Sequence, residues 1–128
     1  MDEITLTLPR DQSFHGIANL VLGGLASRLS VTIESLEDLQ TGMESLLARD
    51  QDGGRVTVSL RVRPDGIETT VGPFSAGVRD ELAGEGEGPV GLRRILETVM
   101  DRVDVDERDG SHWVELTKVL PERKQPRD

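Results

Sequence analysis

"GEGEGPVGLRRILETVMDRV", residues 84–103, decides how the rest of the chain is read. Its first half alternates glycine with glutamate and closes on Pro89, Val90 and Gly91. Its second half sets Leu92, Ile95, Leu96, Val99, Met100 and Val103 at three- and four-residue spacing, the apolar stripe of a helix that faces a core. A glycine turn that opens a helix places backbone N–H groups where the helix dipole attracts anions. Two readings compete: a phosphate cradle, and a close turn into a core helix. A lone glycine-rich loop does not decide between them.

Outward from this helix the pattern changes period. Val103 and Val105 begin a strand, Asp109-Gly110 turns it, and "HWVELTKVL" (112–120) returns as the last strand before Pro121. Upstream, Val56, Val58, Leu60 and Val62 alternate with Thr57, Ser59, Arg61 and Arg63. "RPDG" (63–66) turns that strand, and Ile67, Thr69 and Val71 continue the hairpin. From Gly72 to Pro89 periodicity is lost, and a loop of that length in a compact domain is usually functional or mobile. Nearer the N-terminus, "EITLTL" (3–8) alternates as a half-buried strand, and "RDQDGGR" (49–55) is a polar loop.

Two further helices precede that loop. Ser13 is a candidate cap for the first, whose face is read as Ile17, Leu20, Val21, Gly24, Leu25 and Leu29. Thr32 is a candidate cap for the second, which carries Ile33, Leu36, Leu39, Met43, Leu46 and Leu47 to about Ala48. Gly42 costs that helix about 1 kcal/mol against alanine. The order β-α-α-β-β-loop-α-β-β predicts an α+β two-layer sandwich. Its sheet is expected to be mixed, mostly antiparallel, with about three helices on one face. Residues 1–120 are read as a single domain and 121–128 as a short polar tail.

Composition narrows the chemistry. The 128 residues include no cysteine and only two histidines, His15 and His112, so disulfides and zinc–cysteine sites are excluded. Neither histidine sits in a motif. The net charge of −9 repels phosphodiester backbones and anionic lipid, so neither nucleic acid nor membrane is an expected partner. No apolar stretch approaches the roughly 18 residues that a membrane span needs, and no signal peptide is read at the N-terminus. A cytoplasmic location follows as an expectation.

The element order, with "GGLASRL" (23–29), "IESLEDLQTGMES" (33–45) and above all "GPVGLRRILETVMDRVDV" (88–105), resembles the GHKL (Bergerat-fold) ATPase domain. Within it, the chain is most similar to the anti-sigma-factor serine kinases of bacterial partner switching. The likeness runs from about Ile4 to Leu120. It implies a cytoplasmic homodimer whose partners are a sigma factor, a STAS-type anti-anti-sigma protein, or both.

Carried over residue by residue, the resemblance is uneven. Gly88, Gly91 and Leu92 match the family's glycine turn and are the candidate nucleotide-binding residues, although Glu85 and Glu87 just upstream repel a triphosphate. The family's second helix carries a catalytic glutamate and, four residues later, a magnesium-holding asparagine; these positions fall on Ser45 and Arg49. A serine hydroxyl is a poor base, and arginine is always protonated and cannot ligate a cation. A one-residue shift makes Glu44 the catalytic candidate, but its partner is then Ala48. The family's adenine-binding aspartate falls near Pro73, which has no side-chain acceptor. No metal site is read. The resulting expectation is an anti-sigma-like regulator acting by protein–protein binding, its ATP binding and kinase activity impaired or lost, with no cofactor. The alternative is an active Mg-ATP-dependent serine/threonine kinase acting on a STAS partner.

Overall fold

The computed structural model describes residues 3–29, 31–49, 54–83 and 91–120. The period-2 segments build the sheet. β1 (Glu3–Pro9) pairs with β2 (Arg55–Arg63), β2 with β3 (Gly66–Phe74), β3 with β5 (Ser111–Val119), and β5 with β4 (Arg102–Arg108). The strand order is β1-β2-β3-β5-β4, and every pairing is antiparallel. The α+β two-layer expectation holds, with the sheet wholly antiparallel rather than mixed. The β4–β5 hairpin turns on Asp109 (φ 53°) and Gly110 (φ 80°). Positive φ at both central residues suits the right-handed strand twist, which is why Asp-Gly stands there.

One sheet face is apolar and carries the helices. Val56, Val58, Leu60, Val62, Ile67, Val71, Val114 and Leu116 are buried on it. Helices α1 (His15–Leu29), α2 (Ile33–Leu47), α3 (Ala76–Ala83) and α4 (Leu92–Val99) cover that face. Among the described residues four α-helices stand where about three were expected. The extra one, α3, lies in the stretch read as irregular. It forms because Val78 and Leu82, four residues apart, both reach the core. α4 ends at Val99, short of its sequence stripe, because Met100 is already extended and Val103 pairs with Leu116 in the sheet.

The start of α1 and its buried face differ from expectation. Ser13 lies inside a 3-10 turn (Gln12–Phe14) that precedes α1, and the Asp11 carboxylate accepts from its N–H and hydroxyl at 3.0 Å each. The Ser13 hydroxyl is thereby a donor. The buried α1 residues are Ala18, Leu22, Leu25 and Ala26, while Leu20 is 76% exposed. On α2 the Thr32 cap holds, its side chain accepting from the Ser35 N–H at 3.1 Å. Leu39, Met43, Leu46 and Leu47 are buried as read, but Ile33 is 72% exposed. Gly42 has a packing reason: a Cβ there would lie 2.5 Å from the methyl of Met100, just beyond α4.

The opposite sheet face is polar. Thr5 meets Ser59 at 3.3 Å and Thr7 meets Thr57 at 3.1 Å across β1–β2. Trp113 lies on this face against Gly72, where a Cβ would come within 2.6 Å of the ring. The Arg108 guanidinium stacks 5.3 Å from the ring centroid.

Candidate functional site

Ser45 occupies the last turn of α2, and Arg49 lies just beyond it. Each makes bonds within the chain. The Ser45 hydroxyl donates to the Thr41 carbonyl at 2.8 Å, one helical turn back. Arg49 donates from Nη1 to the Ser45 carbonyl at 3.3 Å, a cation on the free carbonyls of a helix C-terminus. Its other two nitrogens fork onto one carboxylate: Nε to Glu81 Oε1 at 3.1 Å and Nη2 to Glu81 Oε2 at 3.0 Å. This is the bidentate geometry in which guanidinium and carboxylate bind best. Both side chains are about two-thirds buried, with 29% and 32% exposed.

Glu81 belongs to α3, so the pair ties the end of α2 to that helix. The Arg49 hydrogen bonds, the largest cause, pull the Glu81 carboxyl below the ordinary glutamate range. Partial burial opposes the shift, the Arg49 charge reinforces it, and the Leu92 backbone N–H adds a weaker pull from the start of α4. Gly91 is the N-cap of α4 and offers no side-chain cap. A second tie runs beside it: Arg93 Nη1 donates to the Leu82 carbonyl at 2.7 Å and Nε pairs with Glu97 at 2.9 Å.

The remaining sequence candidates sit apart from this cluster. Glu44 is exposed and accepts from Asn19 Nδ2 of α1 at 2.6 Å. Asn19 Oδ1 and His15 Nε2 are buried without a hydrogen-bond partner among the described residues. Pro73 lies near the end of β3, and its carbonyl accepts from Arg10, whose guanidinium also stacks over the Phe74 ring at 5.5 Å. Leu92 is fully buried, so only its backbone faces the helix start. Gly88, with Glu85 and Glu87, lies outside the described residues, as does the 121–128 tail.

The structure thus joins Arg49 to Glu81 of α3, ties α3 to α4 through Arg93 and the Leu82 carbonyl, and leaves Glu44 and Pro73 elsewhere. Sequence reasoning missed Glu81, Arg93, Asn19 and Arg10. Glu81 hid because its helix was read as loop; the Val78–Leu82 spacing was the available signal. On the uncovered sheet face a polar depression of about 350 Å³ is crossed by Glu3, Arg61, Glu68, Arg102 and Glu115. Arg61 approaches Glu3 at 3.7 Å and Glu68 at 4.0 Å there. Among the described residues no group of three or more His, Asp or Glu could hold a metal ion, and no helix is long and apolar enough to cross a membrane.

No family model matches the chain. Curated relatives do match over nearly its whole length. Serine-protein kinase RsbW of Bacillus velezensis is 29% identical, covering 94% of this chain and 87% of the relative. RsbW of Bacillus subtilis is 28% identical, covering 93% and 86%. RsbW of Listeria monocytogenes serotype 4a is 27% identical, covering 96% and 90%. Among solved structures, the RsbU and RsbW domains of Rv1364c from Mycobacterium tuberculosis match with a TM-score of 0.70 at 10% identity. That match covers 94% of this chain and 32% of the longer one. The resemblance read from the sequence holds: the chain is similar to RsbW serine-protein kinases and has the GHKL-like fold.

Proposed function

We propose that this chain, similar to the RsbW serine-protein kinases along nearly its length, is a partner-switching regulator. In this reading it acts by protein–protein contact and has lost nucleotide-dependent phosphoryl transfer. The observation that carries the proposal is the bonding of Ser45 and Arg49. Phosphoryl transfer depends on positioning and on a metal that neutralises phosphate charge. At the position where the resemblance calls for a metal ligand, Arg49 is a permanent cation engaged with Glu81. At the position of the general base, Ser45 has a hydroxyl whose proton is bonded to Thr41. These residues do not fit a magnesium-bound triphosphate, and no step is routed through one.

The proposed partners are a sigma factor, a STAS-type anti-anti-sigma protein, or both, met by a homodimer in the cytoplasm. Exposed Ile17 and Leu20, one turn apart on α1, offer apolar contact area. The net charge of −9 suits a partner with basic patches. The kinase name of the relatives favours a second reading: an active Mg-ATP-dependent serine kinase that phosphorylates a STAS partner through Glu44, Gly88 and Gly91. Affinity capture from the native host, with mass-spectrometric identification, tests the first reading. A sigma factor or a STAS protein recovered equally with and without added ATP supports it. Recovery of neither overturns the partner assignment, and recovery of a STAS protein phosphorylated in an ATP-dependent manner favours the kinase.

A further inference from the structure

The described sheet has two edges, β1 and β4, and the sequence treats them differently. An edge strand presents a row of backbone N–H and C=O groups that can pair with another chain, and charges, prolines or bulges commonly block it. β4 reads RVDVDER and carries five charges in seven residues. Residues directly opposite in an antiparallel pair share a sheet face. A second β4 laid antiparallel about Val105 would therefore set Arg102 against Arg108 and Asp104 against Asp106, like charge on like. β1 reads EITLTLP and carries one charge, Glu3, at its first residue. It pairs with β2 over all seven residues without a register shift. On its helix side Ile4 and Leu6 pack on the core but stay partly exposed, whereas Val56, Val58, Leu60 and Val62 of β2 are buried.

We propose that the β1 edge is the contact between two copies of this chain, paired antiparallel about a two-fold axis at Thr5. The inference rests on the homodimer in the proposed function and names its surface. An axis at Thr5 places Ile4 opposite Leu6 of the second copy, twice, and covers these two partly exposed apolar residues. On the polar face Thr5 meets Thr5 and Glu3 meets Thr7, so no charge meets its like. Pro9, which has no N–H to offer, falls outside the pairing. The axis stands perpendicular to the sheet, so both helical layers lie on the same side of one continuous sheet. The edge is thus self-complementary, as a two-fold contact requires. Charge favours it as well: two chains of net charge −9 repel each other, and residues 4–8 bring no charge to the contact.

The test is sedimentation-velocity ultracentrifugation of the full chain, in wild type, Thr5→Lys, Thr5→Glu and an equimolar mixture of the two variants. Circular dichroism of each confirms the fold. Thr5 is exposed on the polar face, so neither substitution enters the core. Wild type is expected as a dimer at micromolar concentration. Each variant alone sets like charges opposite at the axis and should weaken the dimer at least about tenfold in Kd. Thr5→Lys does so while reducing the chain's net negative charge, which separates the local clash from general repulsion. The mixture brings opposite charges face to face and should recover the dimer. Hydrogen exchange of wild type across a dilution series needs no variant: β1 amides are expected to lose protection as the dimer dissociates. A dimer unchanged in both Thr5 variants, or β1 amides indifferent to dilution, overturns the edge pairing and leaves the homodimer standing. Weakening in both variants without recovery in the mixture overturns the two-fold at Thr5. A monomeric wild type overturns homodimer and edge pairing together, whether β1 stays bare or takes a strand from another protein.

Discussion

Arg49 and Glu81 tie the end of α2 to α3. The pair is bidentate and about two-thirds buried, so it lies at the upper end of what surface ion pairs contribute, about 1 kcal/mol. Arg49→Gln and Glu81→Gln should each lower urea-unfolding stability by about that amount, and the double variant by less than the sum. The pH dependence has a definite sign. The folded-state pKa of Glu81 is depressed below 4.5, so the stabilisation is fully present above that pH. It is lost as pH falls through the lower folded-state value. Glu81→Gln should therefore show a shallower loss of stability on the acid side than wild type. The sequence disclosed half of this arrangement. Ser45 and Arg49 are the wrong residue types for a base and a metal ligand wherever they point. Glu81 is 32 positions from Arg49, and no local pattern links the two.

Within the elements, periodicity located the helices better than it oriented them. Ile17, Leu20, Val21, Leu22 and Leu25 place apolar side chains around most of α1, so spacing alone could not select the buried stripe. Packing selected Ala18, Leu22, Leu25 and Ala26. Leu20→Ser should change stability by no more than about 0.5 kcal/mol. Leu22→Ala should cost about 2–5 kcal/mol, and thermal or urea unfolding separates these values. The strands were legible because their alternation matches a sheet with one apolar and one polar face. α3 was not, because eight residues with two core positions give little periodic signal. Glycine also meant different things at different places. At Gly72 it makes room for Trp113 on the uncovered sheet face. Gly72→Ala should displace the indole, cost about 1–3 kcal/mol and shift the emission of this single tryptophan.

At the scale of the whole molecule, the antiparallel order β1-β2-β3-β5-β4 with the four described helices carries the GHKL-like fold, and the proposed reading is that it does so without nucleotide chemistry. The glycine turn before α4 directs attention to phosphate, and Gly91 and Leu92 do open a helix there. The likeness to RsbW extends over 94% of the chain at 29% identity, and the proposed loss of nucleotide chemistry rests on three positions, Ser45, Arg49 and Pro73. In the proposed reading, the scaffold is retained while its catalytic positions change, which leaves a regulator that works by contact. Calorimetric titration of the wild-type chain with Mg-ATP tests this account most directly: it predicts no saturable heat up to millimolar nucleotide, and a saturable, magnesium-dependent isotherm would contradict it.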